Sequence, residues 1–146
     1  MRKILTAIFS LFLLVTGVSA NDRVTHDVNQ LPAAARQFIT THFPKAPVSY
    51  LSIDRKLFGV EGYDVRLIDG TEIDFNNKGE WKEIDAEHKV IPAAIIPENI
   101  KKYINQYYPQ NKVTKIKHTK RGYELHLNND LEVDFDQRGN FLRLDD

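Results

Sequence analysis

Along much of the chain apolar and polar side chains alternate one for one. Tyr63, Val65 and Leu67 are separated by Asp64 and Arg66, and Ile73 and Phe75 by Asp74. Such a period of two predicts strands with one buried face. Asp69-Gly70 and Asn129-Asp130 are hairpin turn signals, and Lys78-Gly79 and Arg138-Gly139 mark further turns in which glycine supplies a positive φ. Connections this short make the strands antiparallel. Ahead of each strand group the period changes. Ile100, Tyr103, Ile104 and Tyr107 recur at helical spacing, and Ala35, Phe38, Ile39 and Phe43 do so less regularly. Pro32 and Pro97 fit a first helical turn, where an N–H has no partner to lose. Pro44 and Pro109 end the helices.

These two stretches correspond. Leu31-Pro32 through Phe43-Pro44 aligns with Ile96-Pro97 through Tyr108-Pro109. Gly62-Tyr63-Asp64-Val65-Arg66-Leu67 aligns with Gly122-Tyr123-Glu124-Leu125-His126-Leu127, and Glu72-Ile73-Asp74-Phe75 with Glu132-Val133-Asp134-Phe135. Lys78-Gly79-Glu80-Trp81 aligns with Arg138-Gly139-Asn140-Phe141. The first stretch holds five extra residues between Leu51 and Glu61. The expected fold is α+β: two tandem repeats, 31–86 and 96–146, each one helix followed by a four-stranded antiparallel sheet, with a linker at 87–95. A unit of that size is marginal alone, so the two are expected to lean on one sheet with the helices on one face. The expected core is Leu51, Val65, Leu67, Ile73 and Phe75 with Ile116, Leu125, Leu127, Val133 and Phe135.

A Pro-initiated helix ending in an aromatic-Pro pair, then Gly-Tyr, Asp-Phe and Gly-aromatic strands, occurs twice in the same order. This resembles the PepSY-like family of exported bacterial proteins, which are described as β-lactamase-inhibitor-like. The resemblance spans both repeats and implies a β-lactamase-inhibitor-protein-like fold. It carries no inhibitory residue onto this sequence, and fold alone does not give function.

The beginning of the chain carries an address. Arg2 and Lys3 precede an apolar run from Ile4 to Val15, and Val18-Ser19-Ala20 offers small residues for cleavage. Residues 1–20 therefore read as a signal peptide cut after Ala20, followed by a mobile polar lead-in at 21–30. The expected location is the periplasm or the exterior, with no membrane attachment after cleavage. The 146 residues hold 20 basic and 20 acidic side chains and no cysteine. Balanced charge argues against nucleic acid as a partner, and the missing thiols exclude disulfides and thiolate metal sites.

Candidate chemistry thins out on inspection. Asp74-x-Asn76-x-Lys78-Gly79 with Asp85, and Asp134-x-Asp136-x-Arg138-Gly139 with Asp145, echo a calcium loop. Cationic Lys78 and Arg138 stand where oxygen is needed, and Asp replaces the closing Glu. The histidines at 26, 42, 88, 118 and 126 show no ligand spacing. Glu72, Asp74, Glu132 and Asp134 alternate with core residues on an exposed face, where they are expected to ionise normally and pair with Arg66, Lys82 and Arg143. No catalytic constellation and no cofactor motif emerges, so a non-enzymatic module is expected.

That module is expected to bind another exported protein, as an inhibitor or regulator, with a small-ligand or metal-ion carrier as the alternative. The expected partner-binding residues are Leu57, Phe58, Trp81 and Phe141. Leu57 and Phe58 fall in the extra hairpin length, which either presents them to a partner or folds Phe58 back over the core. Trp81 and Phe141 point outward by alternation beside core-facing Leu142 and Leu144. Bulges after Gly79 and Gly139 would instead send both aromatics into the core.

Overall fold

The computed structural model describes residues 23–145. The expected signal peptide and its cleavage site lie outside the described residues. Among these, nine strands form one antiparallel sheet in sequence order. They are β1 (Arg23–Thr25), β2 (Val48–Lys56), β3 (Gly59–Leu67), β4 (Glu72–Asn76), β5 (Trp81–Asp85), β6 (Val113–His118), β7 (Gly122–Leu127), β8 (Glu132–Asp136) and β9 (Phe141–Asp145). Helix α1 (Ala33–His42) precedes β2 and helix α2 (Glu98–Tyr107) precedes β6. Pro32 and Pro97 are the N-cap residues of these helices, one position ahead of the first turn.

The reason for a single sheet is a row of apolar side chains that crosses it at one register. Leu51 lies opposite Val65, Val65 opposite Ile73, and Ile73 opposite Ile84. Ile84 lies opposite Ile116, and the row continues through Leu125 and Val133 to Leu144. From Leu51 to Val133 every member is at most 2% exposed. Both helices pack on this face. Phe38 of α1 meets Phe75 edge to face at 5.8 Å, and Tyr103 of α2 meets Phe135 likewise at 5.3 Å.

This corrects the expectation of two units, each a helix with its own four-stranded sheet. No boundary separates two sheets. Hydrogen-bonded pairing runs through the β5–β6 seam, where the buried Ile84–Ile116 pair makes separation costly. A ninth strand also stands outside both expected units. Arg23–Thr25, within the expected mobile lead-in, pairs with Leu51–Ile53. A 3-10 turn follows at Val28–Gln30, where Asp27 accepts a bond from the Asn29 N–H.

The Gly-Tyr strands have a steric basis. A Cβ on Gly62 would lie 2.6 Å from the Phe75 carbonyl oxygen, and one on Gly122 only 1.9 Å from that of Phe135. Only glycine allows the neighbouring backbone so close.

If the Ile84–Ile116 seam holds the halves together, Ile116→Ala should cost about 2–4 kcal/mol. The chain should still unfold in one step, with Trp81 fluorescence and far-UV circular dichroism coinciding across a urea titration. Two separated transitions in the unmutated protein would contradict a continuous core.

Candidate functional site

The face opposite the helices is ionic, and its charges follow the same registers as the core. One row runs Ser52, Asp64, Asp74, Glu83, Lys117, Glu124, Asp134, Arg143. The next runs Tyr50, Arg66, Glu72, Asp85, Lys115, His126, Glu132, Asp145. Expected pairs form here: Arg66 bonds Glu72 and reaches Glu87 at 3.0 Å, and Arg143 Nε donates to Asp134 Oδ2 at 2.6 Å. At the seam Lys115 lies 2.5 Å from Glu83 and 3.4 Å from Asp85.

Asp74 departs from the expectation of normal ionisation. Burial, then the like charges of Asp64 and Glu83 on either side, push its carboxyl up to about 6, against smaller opposing effects of Lys82 and Lys115. Its counterpart Asp134 has Arg143 where Asp74 has Glu83. Asp64, Asp74, Arg66, Glu72 and Tyr50 line a shallow depression of about 270 Å³. The three acids stand on one open wall, not on opposite sides of a cleft as a glycosidase pair does.

The apparent calcium loops are turn caps. Asn76 Oδ1 accepts the N–H groups of Lys78 and Glu80, and Asp136 Oδ1 accepts those of Arg138 and Asn140. A different acidic group assembles at the edge. Glu132, Asp134 and Asp145 bring carboxylate oxygens within 4.8 Å of one another. The Arg143 guanidinium lies among them, 2.6 Å from Asp134 and 3.1 Å from Asp145.

The four residues expected to bind a partner do not share one surface. Leu57 and Phe58 form the tip of the β2–β3 hairpin and are 95% and 102% exposed, so Phe58 does not fold back over the core. Trp81 turns to the helix side. Phe75 faces Trp81 while Asp74 faces Glu83, which leaves Lys82 as the extra residue of a bulge. Trp81 approaches Phe38 at 6.5 Å and His118 at 5.9 Å, and His118 stacks on Tyr123 at 4.6 Å. These aromatics line an open groove of about 1100 Å³ with Lys117, Lys120 and Gln137 on its wall. The β4–β5 turn divides this groove from the tip: Asn77 borders Phe58, while Asn76 and Gly79 border Trp81.

Phe141 is drawn away to β9, at the far edge of the sheet. An equivalent bulge at Leu142 sends it to the helix side, where it stacks on Tyr103 at 5.1 Å. Leu142 and Leu144, expected to face the core, are both exposed: Leu142 is the bulge residue and borders Asp134 and Arg143, and Leu144 lies on the outermost strand of the described sheet. Sequence reasoning missed the His118–Tyr123 wall of the groove, since its signal is a register and not a motif.

Asp74 yields a pH prediction. In the unfolded chain an aspartate titrates near about 3.9, and in the fold Asp74 titrates at about 6. Folding therefore takes up a proton between these values, and stability falls as pH rises through that window, with the penalty persisting at neutral pH. Asp74→Asn should raise the melting temperature at neutral pH, and its advantage should vanish below about pH 4. Thermal melts across pH check this, and equal melting at neutral pH would contradict it.

Comparison with known proteins places the chain. A periplasmic protein of unknown function from Bacteroides vulgatus is 51% identical, with a TM-score of 0.81 over 86% of this chain and 99% of that one. A protein of Bacteroides thetaiotaomicron described as a "putative calcium-regulated periplasmic protein" is 36% identical, with a TM-score of 0.80 over 86% of this chain and 97% of its own. A further Bacteroides vulgatus periplasmic protein, of the DUF2874 family, is 36% identical with a TM-score of 0.81, covering 88% and 99%. No curated protein matches. Residues 61–143 match the family described as "Putative beta-lactamase-inhibitor-like, PepSY-like", and with such relatives this chain belongs to the PepSY-like family.

Proposed function

We propose that the protein is an exported, non-enzymatic binding module, released into the periplasm by cleavage after Ala20, that regulates another exported protein by docking on it. The observation that carries this reading is the hairpin tip. Two adjacent large apolar side chains, Leu57 and Phe58, stand wholly in water at the tip of a paired ribbon, next to the Lys56–Glu61 ion pair at 2.5 Å. Exposed apolar groups held on a rigid support serve as anchors. The aromatic groove at Trp81, beyond the β4–β5 turn, offers the partner a second foothold. Phe141 does not belong to this surface.

A second reading, a metal-ion binding protein, is favoured by the edge carboxylates. Asp134 Oδ1 is buried without a hydrogen bond, and a similar protein is described as calcium-regulated. Arg143 opposes it, because its guanidinium already pairs with two of the three carboxylates, Asp134 and Asp145.

Two measurements separate the readings. Phe58→Ser should change stability by less than about 0.5 kcal/mol, while a photo-crosslinker placed at residue 57 should capture a periplasmic partner that the same probe at Lys102 does not. Loss of stability by about 2–4 kcal/mol instead would mean a core role for Phe58. Millimolar calcium should leave the melting temperature unchanged. A saturable rise abolished by Asp134→Asn would favour the metal reading instead.

A further inference from the structure

The central apolar row is buried at seven positions and open at its last. Ile84 in β5 is 0% exposed because β6 covers it, whereas Leu144, at the same place in β9, is 44% exposed. We propose that the β9 edge is a self-association surface, on which two copies of the chain pair antiparallel about a two-fold axis through Leu144.

The register explains why a second copy fits. With Leu144 opposite Leu144 of the second copy, Arg143 lies opposite Asp145 of that copy, and Asp145 opposite its Arg143. Directly opposed residues in an antiparallel pair point to the same face. The leucines therefore meet on the helix side and the charges meet twice on the ionic side. The chain already contains a seam of this design. At β5–β6 the Ile84–Ile116 pair is flanked by Glu83 opposite Lys117 and Asp85 opposite Lys115. Phe141, on the same strand and on the helix side, is exposed too, and stacks on Tyr103, against which exposed Tyr107 also lies.

The opposite edge lacks these features. β1 offers Arg23, Val24 and Thr25, and the residue in line with the apolar row there is Thr25. Arg23–Thr25 holds no acid that could stand opposite Arg23 of a second copy. β9 also rejects edges that do not match, since its Arg143 and Asp145 resist burial against apolar or like-charged strands. Only three residues of each copy pair, so the association is weak and concentration-dependent.

The test uses the mature full chain. Sedimentation equilibrium should show a monomer–dimer equilibrium, and Asp145→Arg, which sets arginine opposite Arg143, should weaken it at least about tenfold with an unchanged melting temperature. The chain has no cysteine, so Leu144→Cys should form a self-disulfide on oxidation while Val24→Cys should not. A monomer at millimolar concentration without that disulfide would overturn the proposal. So would a disulfide that forms only between Leu144→Cys and Val24→Cys copies, since that joins opposite edges head to tail.

Discussion

The fold depends on one transverse line of contact, from Leu51 in β2 to Val133 in β8. From Val65 onward each of its members meets an apolar partner on both neighbouring strands, while Leu51 meets Val65 on one side and Thr25 on the other. A slip of one residue in any strand would turn that member into the ionic face and bring a polar or charged side chain into the core. The line thus fixes the register of eight strands together, β9 included. The helices close over it through Phe38 on Phe75 and Tyr103 on Phe135. Without the Ile84–Ile116 step, neither half would retain both its neighbours.

The ionic face is the other side of this constraint. Because the registers are fixed, each charge meets a determined neighbour, and small differences between the halves become large differences in chemistry. Asp74 sits between Asp64 and Glu83 and takes up a proton readily. Asp134 sits between Glu124 and Arg143 and is clamped by the guanidinium. The exchange of Glu83 for Arg143 at matching positions follows from their neighbours: β5 faces lysines on β6, while β9 ends the sheet.

Much of this was legible in the sequence. Alternation identified the strands and the core members, and prolines placed the helices within a residue. The glycines of the Gly-Tyr strands were visible as a pattern, though the carbonyls that demand them were not. Three features were hidden because they depend on contacts distant in sequence. Arg23–Thr25 is too short and polar to show as a strand, and forms one because β2 offers it an edge. Trp81 and Phe141 required knowing where the bulges fall. The exposure of Leu144 follows from the absence of a tenth strand in the described sheet, which alternation cannot reveal.

The two bulges let strand length vary without changing the face a residue takes. Lys82 and Leu142 each occupy a place opposite no residue of the neighbouring strand. Loss of either would restore plain alternation, with Trp81 directly before Glu83 or Phe141 directly before Arg143. Each aromatic would still lie opposite its phenylalanine, Phe75 or Phe135, and so on the helix side. A one-residue deletion at either point would therefore shorten the strand and leave the aromatic groove and the ionic face where they are.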